Sequence, residues 1–197
     1  MKFVHIADMH LDTAFTQLGD SEVGKIRRLD QRKVLRKIVD YIKENGVKYL
    51  FIAGDFYEHK YIKESTIEYV NDLFKEIEET KVFITPGNHD PYLKNSYYNK
   101  FNWNKNVTIF SSKITKIEEP EVDIYGYGFD DFYYMNNEIE NLEIENKQKN
   151  NILITHATLN GTNNTDKMYN AVSTSTLENI GFDYIALGHI HKRNSEK

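Results

Sequence analysis

The sequence contains no cysteine. Disulfides and thiolate metal sites are therefore excluded, and the composition agrees with a reducing compartment. Long apolar runs are missing as well. The longest, such as Tyr49–Ala53 and Ile152–Ile154, are far too short to cross a bilayer. The opening residues, from Met1 and Lys2 to Asp8, carry charge too early for a secretory signal. A cytoplasmic protein with no membrane partner is the expectation. Excess positive charge is also lacking: the net charge is −5. Binding to a nucleic-acid backbone normally draws on Lys and Arg, so this balance counts against DNA. Two bound divalent cations would reverse the local field at one spot. No internal repeat and no linker stands out, and 197 residues suffice for one domain with a sizeable core.

What is present first is alternation. Phe3–Ala7 reads as a buried strand. Ile26, Leu29, Val34, Ile38, Val39 and Ile42 then recur at helical spacing, up to a stop at Asn45-Gly46. Tyr49–Ala53 is a second strand, Ile67, Val70, Phe74 and Ile77 mark a second helix, and Val82–Thr85 is a third strand. This order predicts parallel strands joined by helical crossovers. Val107–Phe110, Ile114–Ile117 and Val122–Tyr127 read as a meander of short strands. Asn136–Asn150 reads as a weak helix and a solvated loop. Asn151–Thr155 and Tyr184–Leu187 are the last strands. The expected fold class is α/β, two sheets covered by helices.

Ligand-type residues fall where these strands end. Asp8 and His10 follow the first, Asp55 the second, and Asn88, His89 and Asp90 the third. His156 follows a later strand, and His189 and His191 the last. Loops at the carboxyl ends of parallel strands converge on one crevice. Five of the chain's seven histidines lie in these positions. In Asp8-Met9-His10 and His189-Ile190-His191, alternate residues of an extended segment face one way, which predicts paired ligands with Met9 and Ile190 turned to the packing. Gly54, Gly87 and Gly188 let the backbone approach closely. A set of oxygen and imidazole donors suits Mn²⁺, Fe²⁺ or Zn²⁺ better than Ca²⁺. Each motif alone is better explained by a turn or a polar cluster; five together are not.

The motifs Asp8-x-His10, Gly54-Asp55, Gly87-Asn88-His89-Asp90, His156 and Gly188-His189-x-His191 resemble those of the calcineurin-like metallophosphoesterases. The start His5–Asp12 and the Gly87–Asp90 motif resemble SbcD-type DNA-repair nucleases, and the Leu11-Asp12 step resembles their YhaO-like branch. The resemblance implies a four-layer sandwich of two mixed sheets flanked by helices, with 1–197 as the nuclease catalytic domain. It implies two divalent ions, Mn²⁺ foremost, with Fe²⁺, Zn²⁺ or Mg²⁺ as alternatives. One ion is held by Asp8, His10, Asp55 and His191, the other by Asp55, Asn88, His156 and His189, with Asp55 bridging. Two cations about 3.5–4 Å apart need such a shared anion. His89 is implied as the partner of the scissile phosphate or leaving oxygen, oriented by Asp90. The implied activity is exonucleolytic on duplex DNA ends, with endonuclease action on hairpins. The implied partners are DNA, a second copy of the chain and an SMC-like ATPase. Six residues follow His191, where the family continues, so further strands and a capping region are expected to be absent.

Two rivals stand beside this reading. One is a phosphoesterase of the same fold for cyclic nucleotides or phosphomonoesters, since fold does not choose substrate. The other is a non-catalytic scaffold, against which the full ligand set argues. Other conspicuous residues have plainer readings. His5 reads as a structural histidine and His59 as a solvated loop residue. The basic run Lys25, Arg27, Arg28, Arg32, Lys33, Arg36 and Lys37 reads as a solvent face before it reads as a phosphate contact. Tyr92, Tyr97, Tyr98, Phe101 and Trp103 read as helix packing or a subunit interface at least as readily as base stacking.

Overall fold

The structure is a computed structural model, and it describes residues 1–15, 21–133, 138–139, 142–160 and 169–191. Eight strands and four α-helices are described. The strands are β1 (Phe3–Ile6), β2 (Tyr49–Ala53), β3 (Lys81–Thr85), β4 (Val107–Ile109), β5 (Thr115–Glu118), β6 (Val122–Gly126), β7 (Asn150–His156) and β8 (Tyr184–Gly188). The helices are α1 (Ser21–Asn45), α2 (Glu64–Lys75), α3 (Tyr97–Lys100) and α4 (Thr174–Ile180). β1 to β4 form one parallel sheet in chain order, and β5 to β8 form a second.

The layering follows from strand alternation. Leu50 and Ile52 of β2 and Val82 and Ile84 of β3 face a core shared with Leu35, Val39 and Ile42 of α1 and Ile67, Val70 and Phe74 of α2. The intervening residues, Tyr49, Phe51, Ala53 and Phe83, pack instead against Val122, Ile124, Ile152 and Ile154 of the second sheet. Tyr125 and Leu153 turn outward to a third core closed by Leu177 of α4. Period-two side-chain placement on strands buried on both faces therefore builds four layers: helices, sheet, sheet, helix.

Helix α1 ends where expected. Gly46 sits at φ 58°, and the Val47 amide donates to the Ile42 carbonyl at 3.1 Å, a left-handed cap that favours glycine. The apolar spacing misleads at its other end, where Ile26 and Leu29 are exposed, and at mid-helix, where Val34 faces outward beside the buried Leu35. The 25-residue helix is about 37 Å long, whereas a five-residue strand spans about 16 Å. The helix outruns the sheet that covers it.

The expected meander is corrected. β4 pairs parallel with β3, and only β5–β6 is antiparallel. β6, β7 and β8 run parallel. The crossover from β3 to β4 holds just a four-residue helix, too short to show a 3.6-residue period. The helix expected within Asn136–Asn150 falls partly outside the described residues, and no α-helix lies among those described there. Among the described residues no helix is long and apolar enough to cross a membrane.

The two sheets meet at their carboxyl edges. A Cβ on Gly188 would lie 1.9 Å from the Ala53 carbonyl oxygen, and one on Gly54 would lie 2.2 Å from His156 Nδ1. Any side chain at either position would push the sheets apart just where the ligand-type residues gather.

Candidate dinuclear metal centre

Asp8, His10, Asp55, Asn88, His156, His189 and His191, though scattered along the chain, are brought into one crevice. Three sets have ligand atoms within 4.8 Å of one another: Asp8, His10 and His191; Asp55, His156 and His189; and His10, Glu58 and His89. Asp55 lies between the first two. Its Oδ1 accepts the His89 amide at 2.8 Å. Its Oδ2 stands 3.7 Å from His10 Nε2 and 3.3 Å from His156 Nε2. One carboxylate oxygen thus faces both clusters, as a bridging ligand must.

The backbone that achieves this is not the extended one expected. Asp8, His10, Asp55 and His189 all have positive φ, at 53°, 46°, 51° and 99°. Met9 does pack against the first core, but Ile190 is 55% exposed, so simple alternation fails after β8. Left-handed residues are costly for side chains other than glycine. Hydrogen bonds hold them here: the amides of Asp8, His10 and Leu11 donate to the carbonyls of Gly54, Asp55 and Phe56. The His189 amide donates to Asp8 Oδ1 at 3.0 Å, tying the end of β8 to the end of β1.

The donors fit a divalent ion. His156 Nδ1–H donates to the Ala53 carbonyl at 2.9 Å, which turns Nε2 toward Asp55 and toward Asn88 Oδ1 at 3.2 Å. His10 Nδ1–H donates to Glu58 Oε1 at 2.8 Å, which turns its Nε2 to face His191 Nε2 at 3.1 Å. Nitrogen lone pairs aimed at one another and at carboxylates are reconciled by a shared cation or a proton. A carboxylate or carbonyl behind each imidazole is the usual support of a histidine ligand. Burial lowers the His189 pKa to about 4, with the His156 charge adding to the effect, so its ring offers a neutral donor. Burial also pushes the Asp8 carboxyl up. For the Asp55–His156 pair, burial opposes both charges, but their mutual attraction prevails: Asp55 is held below the usual carboxylate range and His156 above the usual imidazole range.

One expectation is corrected. Asp90 makes no hydrogen bond to the His89 ring. Its fully buried carboxylate accepts the amides of Asp55 and Gly87 on Oδ1, and the amides of Phe56 and Tyr57 and the Tyr98 hydroxyl on Oδ2. Burial and the Asp55 charge push its pKa up, while the five donors around it favour the ionised form. Asp90 staples the Asp55 loop to the Gly87 loop. Glu58 is the actual partner of His89, whose Nδ1–H donates to Oε2 at 3.1 Å. That bond raises the His89 pKa. Burial works against the Glu58 charge, yet the His10 and His89 rings bring its pKa down to about 2.

Glu58 was missed because Glu58-His59-Lys60 reads as a solvated loop. Its only sequence signal is a carboxylate three residues beyond Asp55. His59 is likewise half-buried, with its ring edge against Phe132 at 5.6 Å. The other plain readings hold. His5 Nδ1 bonds the Tyr184 hydroxyl at 3.0 Å. Arg32 contacts Asp12 and Thr66, and Arg36 forms a two-point pair with Glu76. Tyr98 is buried, and Tyr92, Tyr97, Phe101 and Trp103 pack on the first core.

Comparison with known proteins agrees with this geometry. The family model described as calcineurin-like phosphoesterase matches residues 1–193. A protein of Bacillus subtilis (strain 168), named uncharacterized metallophosphoesterase YhaO, is 28% identical over 204 aligned residues. The alignment takes in 98% of this chain and 49% of that protein, so the chain spans about half the length of this relative.

Proposed function

The chain belongs to the calcineurin-like phosphoesterases, and from that premise we propose that residues 1–197 form a catalytic domain hydrolysing phosphodiester bonds of DNA with two divalent ions, Mn²⁺ foremost. The observation that carries the reading is Asp55 Oδ2, 3.7 Å from one imidazole of the first cluster and 3.3 Å from one of the second. Asp8, His10, Asp55 and His191 would hold one ion, and Asp55, Asn88, His156 and His189 the other. When bound, such a pair activates water near neutral pH and neutralises charge on the phosphoryl oxygens.

The chain's own residues supply the rest. The Glu58 carboxylate fixes the His89 ring and favours its protonated form. An imidazolium beside the phosphate can donate a proton to the leaving oxygen. The same carboxylate fixes His10, so proton donor and metal ligand share one anchor. A nuclease of this kind would act with a second copy of the chain and an SMC-like ATPase.

Turnover with Mn²⁺ of duplex DNA and of bis(p-nitrophenyl) phosphate, side by side, tests the proposal. Cleavage of both supports a nuclease. Cleavage of the small diester with DNA left intact would hand the function to a small-substrate phosphoesterase. Failure to retain Mn²⁺ after reconstitution would favour the scaffold reading.

A further inference from the structure

A cleft beside the candidate centre is lined by Glu58, Lys60, Asn88, His89, Phe132, Tyr133 and Tyr169. One wall, with Asn88 and His89, belongs to the proposed phosphate site. The same cleft is also lined by three aromatic rings. Phe132 is 39% exposed and Tyr133 76%, although a folded chain gains by covering rings of this size. Among the described residues, the Phe132 ring meets His59 at 5.6 Å in a T-shaped contact, and Tyr133 lies 6.5 Å from the Tyr169 ring at a 32° tilt. Tyr169 in turn packs 5.4 Å from His189, so the rings continue directly from the ligand cluster. Lys60 brings a cation to the rim, its ammonium over the Tyr61 ring. Two flat apolar faces next to a phosphate site, with a cation at the rim, match one ligand chemistry: a nucleobase on the phosphorylated sugar.

We propose that Phe132 and Tyr133 form a nucleobase-stacking subsite for the nucleotide whose phosphate sits at His89. The inference rests on the DNA-phosphodiesterase reading and deepens it by giving the base of the bound nucleotide a contact of its own. Stacking tolerates any base, because every base presents a π-face. The subsite therefore grips a strand without reading its sequence, and it supplies contact that an acidic chain does not draw from backbone charge.

Equilibrium dialysis of the Mn²⁺-loaded protein against labelled dTMP and labelled 2-deoxyribose 5-phosphate tests this, with ion content measured separately. The wild type is expected to bind dTMP about 10- to 100-fold more tightly than the sugar phosphate. In the double variant F132A/Y133A the preference should shrink to about threefold or less. Tyr133→Ala alone changes a mostly exposed position, so it keeps the fold and should show part of the loss. Equal binding of the two ligands by the wild type overturns the subsite and leaves the phosphodiesterase reading standing. So does a preference that survives both variants. Binding of neither ligand by the loaded protein overturns both.

Discussion

The two ligand clusters are built differently. The inner one, Asp55, His156 and His189, has its first two members buried. Both are fixed by backbone: Asp55 by the His89 amide, His156 by the Ala53 carbonyl. The outer one, Asp8, His10 and His191, is half-buried to exposed. The His191 side chain is 64% accessible, and among the described residues it meets His10 and Asp8. The inner cluster is preorganised by the meeting of the two sheets. The outer cluster is a rim in which an ion would do more of the ordering. The contrast teaches that one crevice can set a rigid, buried cluster beside a looser, exposed one; were each to hold an ion, the inner would be the more firmly held, with the carboxylate at position 55 between them.

Removing that coupling should have the largest effect. Asp55→Ala is expected to lose both ions, measured by elemental analysis, with hydrolysis of bis(p-nitrophenyl) phosphate falling roughly 10⁴-fold or more. Retention of two equivalents of Mn²⁺ would break the comparison at its root. His89→Ala should leave the metal content intact and slow cleavage by roughly 10²–10⁴-fold; a native rate would remove His89 from the chemistry. Glu58→Gln keeps the shape but weakens the hold on both His10 and His89. Metal affinity or turnover should fall about 10- to 100-fold, and an unchanged titration of both would show that Glu58 merely fills space.

The sharpest contrast between the clusters is in stability. His156→Ala leaves the Ala53 carbonyl and Asp55 without their partner in a buried site, and should cost about 1–3 kcal/mol in urea unfolding of the metal-free protein. His191→Ala removes an exposed ring and should stay within about 0.5 kcal/mol, while lowering occupancy of the outer ion. Equal destabilisation by the two variants would erase the distinction between them.

Much of the fold was legible from residue pattern. Tyr49–Ala53 and Val82–Thr85 are continuous apolar runs, which is what burial on both faces requires, and both proved to be central strands. β4 was legible as a strand but not in its pairing, because α3 is too short to announce a crossover. The gathering of the seven residues in one crevice was legible because the loops at strand ends converge. Glu58 was not, since a glutamate in a polar loop looks solvated until its two histidines are seen around it. Asp90 was found but given the wrong work: its place next to His89 in sequence hid the five donors that surround it in space.

The sequence alone determined the eight strands, the first two helices, the polar residues at the strand ends and the glycines that clear room for them, because periodicity and side-chain chemistry are local properties. The tertiary structure decided which imidazoles are buried, which carboxylate serves His89 and which carboxylate binds the loops together. Those outcomes depend on desolvation and on hydrogen-bond partners brought from distant strands. No local pattern encodes them, since they exist only once the two sheets have met.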